Sequence, residues 1–244
     1  MSNLAVEDPL AVRVVDALQT GNVAALRQML TETPSLATAR LGSDERGWSR
    51  TLLHIATDWP GHFPNTAAMI IALIEAGADV NAQFIGPHAE TPLHWAASNN
   101  DIEALDVLID LGADIEAPGG VIGNGPPLAD ATAFGQWDAA RRLVERGAKT
   151  TLWDAASLGL LDRVESLLAT APRPAQAELN AAFWGACHGG QRRTAEYLLT
   201  KGADINWIPR WERKTPLDAA RRSLANELVD WMLPLGAKSA NDIP

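Results

Sequence analysis

Gly77, Gly112 and Gly147 stand 35 residues apart, each closing an apolar stretch of helical period and each followed by Ala-Asp or Ala-Lys. The same signal returns at Gly202 and Gly236. The 55 residues from Gly147 to Gly202 fit two shortened units, one of which has lost its glycine. A period in the thirties constrains the fold more than any other property of the chain. It describes a stacked array in which each helix pair buries its apolar face only against its neighbours. Such an array has no closed central core and acts through an extended concave surface.

Elementary helix chemistry accounts for the spelling of each unit. Thr91 caps a helix whose first position is Pro92, where a missing N–H is no loss, and Thr215-Pro216 repeats the device. The recurring glycines supply the left-handed residue that ends the second helix. Between these signals Leu105, Leu108 and Ile109 before Gly112, or Leu143 and Val144 before Gly147, fall at helical spacing. The fold class is therefore all-α, with short hairpin-like fingers between some units.

The stretch from Thr91 to Ala117, TPLHWAASNNDIEALDVLIDLGADIEA, resembles the ankyrin repeat from its Thr-Pro-Leu-His start to its Gly-Ala-Asp end. TLLHIATDWP from Thr51, PPLADATAFGQ from Pro126 and TPLDAARRS from Thr215 are variants of the start. Weaker units begin at Leu152 and Ala181, and GNVAALRQML from Gly21 looks like the second half of an amino-terminal one. The resemblance extends from about Val12 to Ala240. It implies an ankyrin-repeat solenoid of about seven helix-pair units within one elongated domain, residues 1–244. The units are placed at 9–47, 48–83, 84–117, 118–150, 151–179, 180–208 and 209–244. His54 and His94 occupy the family's structural histidine position, which ties a helix start to the adjacent finger, and so are poor catalytic candidates.

Composition narrows the partners. A net charge of −10 works against binding to phosphate backbones, so no nucleic-acid partner is expected. The cluster Arg210, Arg213, Lys214, Arg221 and Arg222 is a local exception that suits an acidic group. A single cysteine, Cys187, excludes an internal disulfide framework and reads as a small packing residue. MSNLAVEDPLAV lacks the pattern of a secretory signal, and no apolar run approaches the roughly 20 residues that span a bilayer. A cytoplasmic protein with no membrane partner is the expectation.

Departures from the regular repeat point to function. The fingers VNAQFIGPHAE and IEAPGGVIGNGP are long, INWIPRWERK carries two tryptophans, and the junction GAKTTLWDAA leaves no room for a finger. Long fingers beside a missing one are expected to leave a recess in the concave face. Aligning the first helices, and taking the concave-facing position that the ankyrin resemblance implies, nominates Asp130 and Asp154 for its wall. Three residues further along the same face come Ser98, Ser157 and His188. Nine tryptophans against one tyrosine and four phenylalanines is an odd aromatic choice. Trp95, Trp153, Trp184, Trp207 and Trp211, with Phe134, would form an aromatic border, since a rigid indole gives large contact area at small entropy cost. Trp137 and Trp231 sit on second helices as packing residues.

Two functional classes follow. The leading one is a binding module that recognises a protein partner through Trp95, Ser98, Phe134, Trp153, Ser157, Trp184, Trp207 and Trp211; protein recognition is what the family resemblance implies. The alternative is a small-molecule-binding protein or cofactor-independent acid–base enzyme using Asp130, Asp154 and His188 for hydrolysis, elimination or isomerisation. The two aspartates equally suit plain solvated acids or hydrogen-bonding partners of a neighbouring finger. No phosphate-cradling glycine loop, nucleophile elbow or paired metal ligands are present, so neither a cofactor nor a metal is expected.

Overall fold

The computed structural model describes residues 3–43, 47–170, 172 and 174–243. Ala171 and Arg173 of the Pro-rich linker before the sixth unit lie outside the described residues. The chain divides into two compact units, residues 1–148 and 149–244, at the junction where the sequence leaves no room for a finger.

In the first unit, helices α1 (Pro9–Thr20) and α2 (Val23–Glu32) pair, as do α3 (Leu52–Ala56) with α4 (Thr66–Glu75), α5 (Pro92–Ser98) with α6 (Ile102–Asp110), and α7 (Pro127–Phe134) with α8 (Trp137–Glu145). First helices stack in the order α1, α3, α5, α7, and second helices in the order α2, α4, α6, α8. The core is their shared apolar faces: Leu18, Leu26, Leu53, Ile70, Leu73, Leu93, Leu105, Leu108, Leu128 and Leu143 are essentially inaccessible. Helix α6 ends as its sequence demands. Gly112 has φ +94°, and a Cβ there would meet nothing, so backbone conformation alone requires the glycine.

The unit also holds a three-stranded sheet that helical periodicity did not reveal. Strand β1 (Asn3–Ala5) runs parallel to β2 (Arg40–Ser43), which pairs antiparallel with β3 (Trp48–Thr51). The next finger joins it through a bridge between Ser49 and Ile85. The buried Arg40 guanidinium holds these parts together, donating from Nε to Ser49 Oγ at 2.9 Å and from Nη2 to the Gln83 carbonyl at 2.6 Å.

The second unit pairs α9 (Leu152–Ser157) with α10 (Leu161–Ala169), α11 (Gln176–His188) with α12 (Arg192–Thr200), and α13 (Pro216–Arg222) with α14 (Asn226–Met232). Helices α9, α11 and α13 stack side by side around Phe183, Cys187, Leu198, Leu217 and Met232. The contact of α9 with α11 is close because Gly185 lies within α11 and Gly189 follows as its C-cap. A Cβ at Gly189 would stand 1.9 Å from the Ser157 carbonyl oxygen, and one at Gly185 would stand 2.6 Å from Ser157 Oγ. Asn206 fastens the tryptophan finger to the turn after α14, donating to the Gly236 carbonyl at 3.1 Å and accepting from the Lys238 amide at 2.8 Å.

Candidate functional site: a tryptophan cluster in the second unit

The starts of the first helices show which polar side chains hold the fold. In α3 and α5 the N-cap threonine faces a histidine three residues on: Thr51 Oγ1 lies 2.8 Å from His54 Nδ1, and Thr91 Oγ1 lies 2.9 Å from His94 Nδ1. The other ring nitrogens meet finger carbonyls, His54 Nε2 at 3.0 Å from Glu90 O and His94 Nε2 at 3.1 Å from Gly125 O. Both rings are fully buried, and burial lowers both pKa values, that of His54 to about 4. Aspartate does the same work in the second unit. Asp154 accepts from the Thr151 amide at 2.9 Å and its hydroxyl at 2.7 Å, and Asp218 accepts from Thr215 in the same way.

Asp130 serves its own finger. Its carboxylate accepts from the Ile122 amide at 2.9 Å and the Val121 amide at 3.2 Å, with no surface exposed. Burial raises its pKa, against the pull of those amides and of His94. Of the three residues nominated for acid–base chemistry, Asp130 thus clamps a finger in the first unit and Asp154 caps a helix in the second. His188 ends α11 with its ring tilted against Trp184, centroids 5.4 Å apart. Among the described residues, no three His, Cys, Asp or Glu side chains converge as a group able to hold a metal ion.

The other nominated residues separate by unit. In the first, Trp95 packs edge-on against His54 at 5.0 Å and lies 5.6 Å from Phe84, while Phe134 is exposed at the end of α7. The Ser98 hydroxyl is enclosed without a hydrogen-bond partner among the described residues. In the second unit, four indoles come together. Trp153 of α9 stacks on Trp184 of α11 with centroids 5.6 Å apart and planes 18° from parallel. Trp211, from the finger, stands nearly perpendicular to both, 6.0 Å from Trp153 and 6.3 Å from Trp184. Trp207 meets Trp211 at 5.5 Å.

Each ring is held in place. A Cβ on Gly185 would lie 3.2 Å from the Trp153 ring, so the missing side chain is what lets that indole settle on α11. Trp184 is 2% exposed, and its Nε1 donates to the Lys214 carbonyl at 2.9 Å, tying the finger to the helix. The Arg222 guanidinium lies 5.5 Å from the Trp184 ring and pairs with Glu212 at 2.6 Å. Ser157 Oγ, beneath the cluster, is buried with no hydrogen-bond partner among the described residues. The outcome is graded: Trp184 is core, Trp153 and Trp207 are half-buried, and Trp211 is 60% exposed.

The family model for ankyrin repeats, in three copies, matches residues 64–154. An ankyrin repeat and KH domain-containing protein of Caenorhabditis briggsae is 27% identical over 186 residues, 72% of this chain but 7% of that protein. Palmitoyltransferase Hip14 of Drosophila melanogaster is 38% identical over 90 residues, 36% of this chain and 13% of that protein. The chain thus spans a small part of the length of these curated relatives. The crystal structure of the human ASB11 ankyrin repeat domain matches with a TM-score of 0.52 at 19% identity, covering 90% of this chain and 96% of that one. With its paired helices, capped starts and glycine stops, the chain has the ankyrin-repeat fold, and residues 64–154 match the repeat itself. Ankyrin repeats are in general modules of protein–protein interaction. No described helix is long and apolar enough to cross a membrane.

Proposed function

We propose that the protein is a binding module that recognises a partner protein through the tryptophan cluster of its second unit. One observation carries the reading: Trp211 is 60% exposed while its ring is braced against Trp153, Trp184 and Trp207. An exposed indole that is already immobilised loses little conformational freedom on binding and presents a large contact area. The rings contact one another directly, which suits a surface that is covered rather than a cavity that is filled. The candidate acids Asp130 and Asp154 are occupied with backbone groups, and this favours the binding reading over acid–base chemistry. A cytoplasmic setting agrees with the free, buried Cys187, and the net charge of −10 argues against nucleic acid as the partner.

The experiment compares the full chain with Trp211→Ala in quantitative affinity capture, followed by binding isotherms on each captured protein. The expected loss is about 30-fold, the size of an aromatic hot spot of about 2 kcal/mol. Trp59→Ala is the control, since Trp59 is 80% exposed in the first unit, and among the described residues it stacks on no other aromatic ring. Equal affinities for the parent chain and Trp211→Ala would remove the cluster from the binding surface.

A further inference from the structure

We infer that the tryptophan finger takes an acidic peptide: an extended stretch of a partner protein that lays an aliphatic or aromatic side chain on Trp211 and sets Asp or Glu residues against the finger's basic side chains. The inference rests on the binding reading above and adds the chemistry of the partner. Charge carries it. The chain as a whole has net charge −10, yet residues 207–222 hold five basic residues against two acidic ones. Both acids are engaged, Glu212 with Arg222 and Asp218 with the Thr215 cap, Ser239 Oγ and the Ala240 amide.

Arg210, Arg213 and Lys214 are exposed, flank Trp211 in the finger and make no ion pair among the described residues. These three charges form a positive collar in sequence around Trp211; on an otherwise acidic protein they are unpaired among the described residues and complementary to a carboxylate-bearing segment. A basic partner is disfavoured twice: the collar repels it, and the Arg222 guanidinium already lies over the Trp184 ring. The cluster leaves no hollow between its rings for a small ammonium ligand, because the centroids stand only 5.5–6.3 Å apart.

The probe is a random twelve-residue peptide display library panned on the full chain, with enriched peptides synthesised and their affinities read by fluorescence anisotropy. Enriched sequences are expected to place Asp or Glu beside an apolar residue. Affinity should fall about tenfold or more in Arg210→Ser/Arg213→Ser/Lys214→Ser, and fall by a similar factor between about 50 and about 300 mM salt. All three substitutions are at exposed positions without ion pairs, so the variant keeps its fold, which circular dichroism verifies.

Enrichment of neutral or basic peptides, or no enrichment, overturns the acidic-peptide inference. So does tighter binding to phosphatidylserine vesicles than to the best peptide. Peptide binding that is lost in Trp211→Ala but unchanged in the triple variant sinks the charge argument and spares the cluster as a surface. Binding indifferent to both variants sinks both readings.

Discussion

Lowering the pH from 7.5 to 4.5 should weaken the first unit, because His54 takes up a proton far more readily in the unfolded chain than in the folded one. The ring is 0% exposed, and burial pushes its pKa down to about 4, with Arg40, Arg50 and His94 adding positive charge nearby. The hydrogen bond to the Glu90 carbonyl opposes the shift without cancelling it. A depressed folded-state pKa stabilises the protein above the unfolded value, and that contribution is lost as the pH falls from about 6.5 through the folded value. Integrating over that window gives a loss of about 2.5 kcal/mol at pH 4.5. Asp130 and Glu90, whose pKa values burial raises, work in the opposite direction, being stabilising at low pH and less so as the pH rises. Urea unfolding of the parent chain and of His54→Asn separates these terms, because only the parent carries the titrating ring. The variant should be less stable at neutral pH and should lose about 2.5 kcal/mol less on acidification. A proton NMR titration reads the same group directly. A His54 signal titrating near 6.5 in the folded chain, or identical pH slopes for parent and variant, would refute the reasoning.

Two further predictions concern the supports of the site. Asp130→Ala removes the acceptor for the Val121 and Ile122 amides and should cost about 1–3 kcal/mol; hydrogen exchange should accelerate at those two amides, and unchanged protection would mean that the carboxylate does not clamp the finger. Gly185→Ala places a methyl 2.6 Å from Ser157 Oγ and 3.2 Å from the Trp153 ring, and overpacking there should cost about 1–3 kcal/mol and alter the near-ultraviolet circular dichroism of the indoles. A variant with parent melting temperature and spectrum would show that α9 does not depend on that missing side chain.

The array was legible in the sequence because its punctuation is local. A threonine before a helix and a left-handed glycine after one act within a turn of themselves, so Thr91 and Gly112 announce their roles without any tertiary information. The small sheet was hidden because strands of three and four residues carry too little alternation to register, and they are fixed by Arg40, which joins parts far apart in the chain. Asp154 exposes a different limit. Helix α9 has six residues where α5 and α13 have seven. Counted back from the left-handed residue that follows each helix, Asp154 aligns with Trp95; counted forward from the N-cap threonine, it aligns with His94. The hydrogen bonds to Thr151 choose the second register, and no one-dimensional alignment carries that information. The tryptophans were visible as an excess, but which of them meet depends on close approach at Gly185 and on the bond from Trp184 to Lys214.

The near-parallel stacking of Trp153 on Trp184 also makes the second unit its own optical instrument. Two indoles 5.6 Å apart with planes 18° from parallel are coupled chromophores, and Trp207 and Trp211 stand close enough to exchange excitation with them. Light absorbed by one ring migrates through the group before it is emitted, so the emission is depolarised while α9, α11 and the finger stay docked. Undocking of the finger takes Trp207 and Trp211 out of exchange with the stacked pair and shifts the polarisation of the emission. Docking of that finger is therefore observable without a label, in the same rings that would meet a partner.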